Sequence, residues 1–296
     1  MTCWIQYIME TVKVKQSPLR YPGGKSRAVK FLFDDAQLPD NITEYREPFL
    51  GGGSCAIAFT KKYPDIPVWV NDKYYELYCF WKTLQNHSEW LRDQLLECKT
   101  SCKTTEDARD LFNTAKDTLN YPLDSSSAMV GMAFFIMNKC SFSGLSSGFS
   151  AQASVSNFSV AGIERLPLYG ELIKNWQITN LDYTEMLDSV SEDTFLFLDP
   201  PYDINSFLYG KKGNMHSDFD HYEFKGSIKD LKCKTMITYN SNDKLKEMYK
   251  GWNQTEWDLT YTLHSGKNYR ADQGNRKELL LTNYTKTKTP LEEMMT

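Results

Sequence analysis

Long apolar runs are missing from this sequence. No stretch of its 296 residues approaches the ~18 unbroken apolar residues of a membrane span, so a membrane-spanning helix is excluded. Residues 1–16 lack the basic start, apolar stretch and small-residue cleavage site of an export signal, and the expected address is intracellular. Strong charge of either sign is absent too: 34 Lys and Arg stand against 38 Asp and Glu, a net charge of −4. Cysteine is scarce, odd in number at seven and irregularly spaced, which suits reduced thiols better than a disulfide scaffold. Cys98 and Cys102 have no second Cys or His pair at ligand spacing, so no metal is expected. No repeat of fixed period and no low-complexity linker is visible. What is there is ordinary globular material, with 41% hydrophobic and 14% aromatic residues, enough for about two packed domains.

The mild acidity hides an uneven distribution, and binding depends on local fields rather than on the net charge. Between Thr11 and Lys30 lie Lys13, Lys15, Arg20, Lys25, Arg27 and Lys30 with no acid. A second basic bias runs from His264 to Lys288, where Asp272 and Glu278 are the only acids. Either run by itself could be a solvated face.

Short apolar runs at Pro67–Val70, Phe195–Leu198, Met236–Tyr239 and Leu279–Leu281 have strand length and end at Asp, Asn or Pro. Helical stretches over Cys55–Lys62, Asp182–Val190 and Asp243–Lys250 alternate with them, which predicts a mostly parallel sheet covered on both faces. From about Tyr74 to Leu166 the pattern changes to long helices, Tyr75–Leu96, Glu106–Leu119 and Ala128–Lys139, as an inserted domain would. Its tail, Ser141–Ser150, is rich in Gly and Ser with aromatic residues between them, a composition for a loop or hairpin.

Asp199-Pro200-Pro201-Tyr202 directly follows one apolar run. A carboxylate, a stiff turn and an aromatic ring therefore stand at the carboxyl end of a strand, the edge where open α/β sheets bind ligands. By chance this tetrad would occur in about one such chain in a thousand on average residue usage. It suits a planar exocyclic amine, whose lone pair is delocalised into its ring. Asp199 can accept one amino hydrogen and the Pro200 carbonyl the other, and such acceptors favour the charge that builds on nitrogen. Tyr202 offers a face for stacking. Upstream, Glu47-Pro48-Phe49-Leu50-Gly51-Gly52-Gly53-Ser54 is a Gly-rich strand-to-helix turn that lets a cofactor approach the backbone. Val70-Asn71-Asp72 ends the next strand with an acid, the usual position for gripping ribose hydroxyls. A nucleoside-bearing cofactor is implied.

Together with Arg20-Tyr21-Pro22-Gly23-Gly24-Lys25 and Lys277-Glu278-Leu279-Leu280-Leu281-Thr282-Asn283-Tyr284, these segments resemble, in their linear order, the motifs of the DNA adenine methylase (Dam) family. The resemblance spans Pro18 to Tyr284. It implies a Rossmann-like α/β sheet of the S-adenosylmethionine-dependent methyltransferases, formed by residues 17–73 and 167–285, with a mainly helical target-recognition domain inserted at 74–166 and terminal extensions at 1–16 and 286–296. It implies transfer of a methyl group from S-adenosyl-L-methionine to the amino nitrogen of a flipped-out adenine in double-stranded DNA, by Asp199, Pro200, Pro201 and Tyr202. The cofactor would be held by Tyr21, Lys25, Glu47, Phe49, Gly51, Gly53, Asp72, Asp182, Tyr183 and Asp199. Asn138 to Leu145 resembles the segment that precedes the family's DNA-contacting hairpin, and Lys139, Phe142, Lys211 and Lys212 are the expected DNA contacts. No metal is required, a companion restriction endonuclease would be a partner, and the address would be cytoplasmic or nucleoid-associated. Other planar nitrogens compete as substrates: cytosine's amino group, adenine in RNA, or a protein glutamine amide. By resemblance, Asp at the tetrad's first position goes with adenine, Ser with cytosine and Asn with protein. A non-catalytic DNA-binding module of the same fold would have lost Asp199, Tyr202 or Lys25, and all three are present.

Overall fold

The computed structural model describes residues 16–21, 23–34, 37–144, 148–202, 219–258 and 277–285. Pro22, Leu145, Lys211, Lys212 and most of the basic run from His264 to Lys288 lie outside them. Among the described residues one seven-stranded sheet has the order β3-β2-β1-β4-β5-β7-β6. Its strands are β1 (Glu44–Glu47), β2 (Val68–Asn71), β3 (Gln177–Thr179), β4 (Thr194–Leu198), β5 (Lys234–Asn240), β6 (Asn253–Asp258) and β7 (Lys277–Thr282). The first five run parallel, and β7 enters antiparallel between β5 and β6. This is the mostly parallel α/β sheet that the alternation of apolar runs predicts, in the Rossmann-like form that the resemblance implies.

Every residue of β4 is buried, as a strand covered on both faces requires. Its period of two separates the faces. Phe195 and Phe197 join one apolar cluster with Tyr45, Phe59 and Met236. Leu196 and Leu198 join another with Phe224, Ile237, Tyr239 and Leu279. From β1 the chain steps outward to β2 and β3, then returns to β4 and steps the other way to β5. The loops leaving β1 and β4 therefore diverge at a topological switch point, where a crevice opens beyond the strand ends.

A short helix α1 (Val29–Leu32) precedes β1, and α2 (Ser54–Lys62) follows it. The crossover from β2 to β3 carries α3 (Tyr75–Asn86), α4 (Ser88–Ser101), α5 (Thr105–Asn120), α6 (Ser127–Cys140), α7 (Ala151–Ser156), α8 (Val160–Ile163) and α9 (Leu166–Leu172). Helices α10 (His221–Ile228) and α11 (Asp243–Met248) flank β5. Ten of the residues of α6, from Val130 to Cys140, are buried, so it is the central helix of this group. The first apolar cluster runs without a break from the sheet into these helices through Phe80, Trp81, Phe134 and Phe135.

Two local expectations change, and two strands that no apolar run marked appear. The helix expected over Tyr75–Leu96 is two, because His87 leaves the helical region at φ −141, ψ 37. The break lets Leu91 and Leu95 of α4 turn inward independently of α3. The helix expected over Asp182–Val190 is a single 3-10 turn, Tyr183–Met186, fixed by a capping box between Asp182 and Glu185. It stops there because the Arg46 guanidinium takes the carbonyls of Met186 and Asp188 at 2.8 Å each. Strands β3 and β6 carry no apolar run; they are the sheet's edges, where polar side chains are normal. Ser141 pairs antiparallel with Phe149 in an isolated bridge, as one expected form of the Gly/Ser-rich tail would require.

Candidate functional site

The loop leaving β1 is held in an unusual conformation. Gly51 (φ 48) and Gly53 (φ 67) take left-handed backbone angles. A Cβ on Gly53 would lie 2.6 Å from Cζ2 of the buried Trp81. One on Gly51 would lie 3.0 Å from the Tyr21 ring. The loop is thus gripped between Tyr21 and Trp81, whose Nε1 donates to the Gly51 carbonyl at 3.1 Å. Ser17 Oγ donates to the Gly52 carbonyl at 2.5 Å.

Asp72, at the end of β2, accepts the Gly51 N–H on Oδ2 at 2.8 Å and the Tyr74 N–H on Oδ1 at 3.0 Å. Burial pushes its pKa up to about 6 despite those two bonds. Its neighbour Asn71 ties three loops together. It donates to the carbonyls of Pro48 and Leu181 at 3.2 and 3.1 Å, and it accepts from Leu181 N–H at 2.8 Å and from Thr179 Oγ1 at 2.9 Å. Glu47, 3% exposed, accepts the Tyr45 hydroxyl at 2.7 Å. Burial, with the nearby charge of Asp199, lifts its carboxyl well above the ordinary range. Asp182 accepts Lys73 Nζ at 2.8 Å. Its partial burial is outweighed by the bonds from Lys73 and Thr184, and its pKa is lowered. Tyr183 packs its ring 5.5 Å from Phe49 and 5.5 Å from Phe224.

Asp199 leaves the end of β4 with its side chain 19% exposed. Lys25 Nζ, 2% exposed, lies 2.7 Å from both carboxylate oxygens, and it also donates to the Gly23 carbonyl at 3.0 Å. Thr238 Oγ1, from β5, donates to Oδ1 at 2.7 Å. Burial opposes the charge on Lys25, but Asp199 and then Glu278 outweigh it and hold the ammonium pKa above its ordinary value. The same ammonium lies 4.8 Å from the centre of the Tyr202 ring. Tyr202 donates its hydroxyl hydrogen to Glu278 Oε2 at 2.9 Å. Pro200 is buried, while Pro201 and Tyr202 are half-buried. A carboxylate has about four acceptor positions; Lys25 and Thr238 occupy three of those on Asp199, and one remains on Oδ2.

Tyr21, Lys25, Glu47, Phe49, Gly51, Gly53, Asp72 and the tetrad therefore converge on the carboxyl ends of β1, β2 and β4, and Asp182 and Tyr183 adjoin them through Phe49. Lys139 and Phe142 lie elsewhere, at the end of α6. Lys139 sits 5.3 Å from the Phe135 ring centre, and Phe142 is 54% exposed. That end of α6 is joined to the first motif: Asn138 accepts the Arg20 N–H at 3.0 Å and donates to the Arg20 carbonyl at 2.6 Å. Lys211 and Lys212 lie outside the described residues.

Sequence reasoning missed Asn71, Trp81, Asn138, Thr238 and Glu278. Two carried a usable signal, Glu278 as a charge opening an apolar strand and Asn71 as an amide closing one. The other three look like ordinary helix or strand residues. Among the described residues no group of three or more His, Cys, Asp or Glu side chains is placed to hold a metal ion, and no helix is long and apolar enough to cross a membrane.

Residues 21–263 match the family of D12 class N6 adenine-specific DNA methyltransferases. The chain is 24% identical over 281 residues to the Type II methyltransferase M.CviBI of Paramecium bursaria Chlorella virus NC1A, an alignment covering 90% of this chain and 98% of that protein. It is 23% identical over 287 residues to the Type II methyltransferase M.MjaIII of Methanocaldococcus jannaschii, covering 90% of this chain and 98% of the relative.

Proposed function

The chain belongs to the D12 class of N6 adenine-specific DNA methyltransferases, and on that basis we propose that its methyl donor is S-adenosyl-L-methionine and that Asp199, Pro200, Pro201 and Tyr202 hold the target adenine outside the duplex. The residues present fit such a donor. Two of about four acceptor positions on Asp72 are taken by backbone N–H groups, which leaves two for a pair of ribose hydroxyls. Gly51 and Gly53 present backbone without side chains, and Phe49 with Tyr183 offers flat apolar surface for a purine. By the resemblance, Tyr21, Lys25 and Glu47 would face the methionine end of the donor, and Asp182 with Tyr183 its adenine. When bound, the donor supplies a methyl group already activated by its sulfonium.

The chain's own work is to make a poor nucleophile attack. Adenine's amino lone pair is delocalised into the ring, and swinging the nucleotide out of the duplex costs roughly a few kcal/mol. Stacking on Tyr202 offsets part of that cost. The remaining acceptor position on Asp199 Oδ2 takes one amino hydrogen and the Pro200 carbonyl takes the other. Both would then stabilise the positive charge that grows on nitrogen as its bond to the methyl carbon forms and the carbon–sulfur bond breaks to leave a neutral thioether, and the surplus proton passes to solvent water. Lys25 and Thr238 keep the carboxylate from rotating, which saves reorganisation during the step.

Residues 74–166 are assigned to target recognition on the catalytic body formed by 17–73 and 167–285. Lys139 and Phe142 at the end of α6, with Lys211 and Lys212 after the tetrad, meet the DNA; phosphate contacts set register and base-edge contacts set specificity. Both relatives are Type II methyltransferases by name, which supports a companion restriction endonuclease for this chain and work in the cytoplasm or on the nucleoid.

The observation that carries this reading is Asp199 fixed by two donors at 2.7 Å beside Tyr202 at the end of β4. It is tested by incubating the protein with duplex DNA and methyl-labelled donor, then analysing nucleosides by mass. Label is expected in N6-methyladenine. Asp199→Ala is expected to lower incorporation by about a thousandfold or more while DNA binding persists. Label in cytosine, or an active Asp199→Ala, rejects the assignment.

A further inference from the structure

We propose that Glu278 is a positioning residue for Tyr202: by accepting the phenol's hydrogen bond it fixes the aromatic face on which the target adenine stacks. Glu278 is 1% exposed and is the second residue of strand β7, whose next residues, Leu279, Leu280 and Leu281, are all buried. A carboxylate in such a run costs free energy unless it is paired. Two of its partners belong to the site: the Tyr202 hydroxyl at 2.9 Å and the electrostatic field of Lys25.

The sheet explains how a residue so distant in sequence arrives there. In the antiparallel pairing of β5 with β7, Thr238 stands opposite Leu280, and Asn240 opposite Glu278. With a side-chain period of two, Thr238 and Glu278 share one face and are diagonal neighbours. Thr238 reaches Asp199, and Glu278 reaches Tyr202. The same strand pair therefore steadies both chemical ends of the tetrad, the acceptor and the stacking ring. A half-buried tyrosine turns about two side-chain bonds; a bond at its para hydroxyl fixes the swing about the first, and the preference of a phenol O–H to lie in the ring plane while pointing at its acceptor limits rotation about the second. The ring's separation of 6.1 Å from Tyr239 leaves that partner less directional than the carboxylate.

This inference rests on the reading that Tyr202 stacks the target base, and the experiment separates the two. Single-turnover methyl transfer and duplex affinity are measured on a DNA carrying a site that the wild-type protein methylates. Glu278→Ala is expected to slow transfer about 10- to 100-fold, as the loss of a hydrogen bond to a charged group does, with duplex and donor affinities within about twofold. Glu278→Gln keeps an acceptor oxygen at the same reach and is expected to recover to within about threefold of wild type. Tyr202→Phe is expected to match Glu278→Ala, and combining the two should add no further loss. Losses that multiply in the double variant, or a Glu278→Gln as slow as Glu278→Ala, overturn the proposal. Should Glu278→Ala not fold, Tyr202→Phe decides alone: a slowed rate with affinities kept supports the role, and a wild-type rate rejects it. A fully active Tyr202→Ala rejects the stacking reading itself. An inactive Tyr202→Ala beside a fully active Glu278→Ala rejects only the role of Glu278.

Discussion

Asp72 places a carboxylate where burial works against its charge, and the two backbone N–H bonds from Gly51 and Tyr74 only partly offset that. Its folded pKa of about 6 stands above the ordinary 3.8, so the native chain holds this proton more tightly than the unfolded one. Its contribution to stability is therefore greatest below pH 3.8 and declines as pH rises to about 6, by about 3 kcal/mol across that window. At the proposed donor site binding has the opposite dependence, because ribose hydroxyls would need the ionised acceptor. Affinity for S-adenosylmethionine, measured calorimetrically, is expected to fall about tenfold from pH 7.5 to pH 5, and Asp72→Asn should bind weakly with a flat profile. A wild-type affinity constant over that range would remove Asp72 from the donor site. Asp72 was legible in the sequence because an acid closing a second strand is a local pattern. Its altered acidity was not, since desolvation depends on what packs around it.

Among the elements, the turn from β1 into α2 shows how one backbone shape ties the sequence to the site. Gly53 is left-handed, and the ring of Trp81, a residue with no exposed surface, leaves no room for a Cβ. Gly53→Ala is expected to cost about 2–4 kcal/mol, from left-handed strain and from overpacking, and to lower the denaturant midpoint accordingly. An unchanged midpoint would mean that the loop relaxes away from Trp81. The triple glycine marked this turn in the sequence, but the helix that closes over it gave no sign. The elements that were read well are the buried ones, β2, β4, β5 and β7, because apolar runs with turn signals specify them locally. The 3-10 turn after Asp182 was misread as a helix because the guanidinium that interrupts it comes from Arg46, 140 residues earlier.

Across the whole molecule, Asn138 links the helical crossover to the segment proposed to hold the donor. Its amide pairs with both backbone groups of Arg20, 118 residues away, and the next residue, Tyr21, lies against Gly51 and Gly52. Asn138→Ala leaves the Arg20 N–H and carbonyl without this partner, at about 1–3 kcal/mol each. The expected outcome is about 2–4 kcal/mol of lost stability together with donor affinity weakened at least several-fold, while Lys25 and Asp199 remain paired. Wild-type donor affinity in a destabilised Asn138→Ala would show that the crossover only props the fold and does not shape the crevice.

The sequence by itself determined the alternating α/β pattern, the helical interruption, the strand-end tetrad and the Gly-rich turn, because each is written in neighbouring residues whose propensity and periodicity act locally. Only the tertiary structure decided that β7 runs antiparallel between β5 and β6, which brings Glu278 to Tyr202 and sets Thr238 beside Asp199. It alone seated Asn138 on Arg20 and Trp81 over Gly53. Those pairings follow from strand order and long-range register, which are settled by how whole faces bury against one another and leave no mark on the residues nearby in the chain.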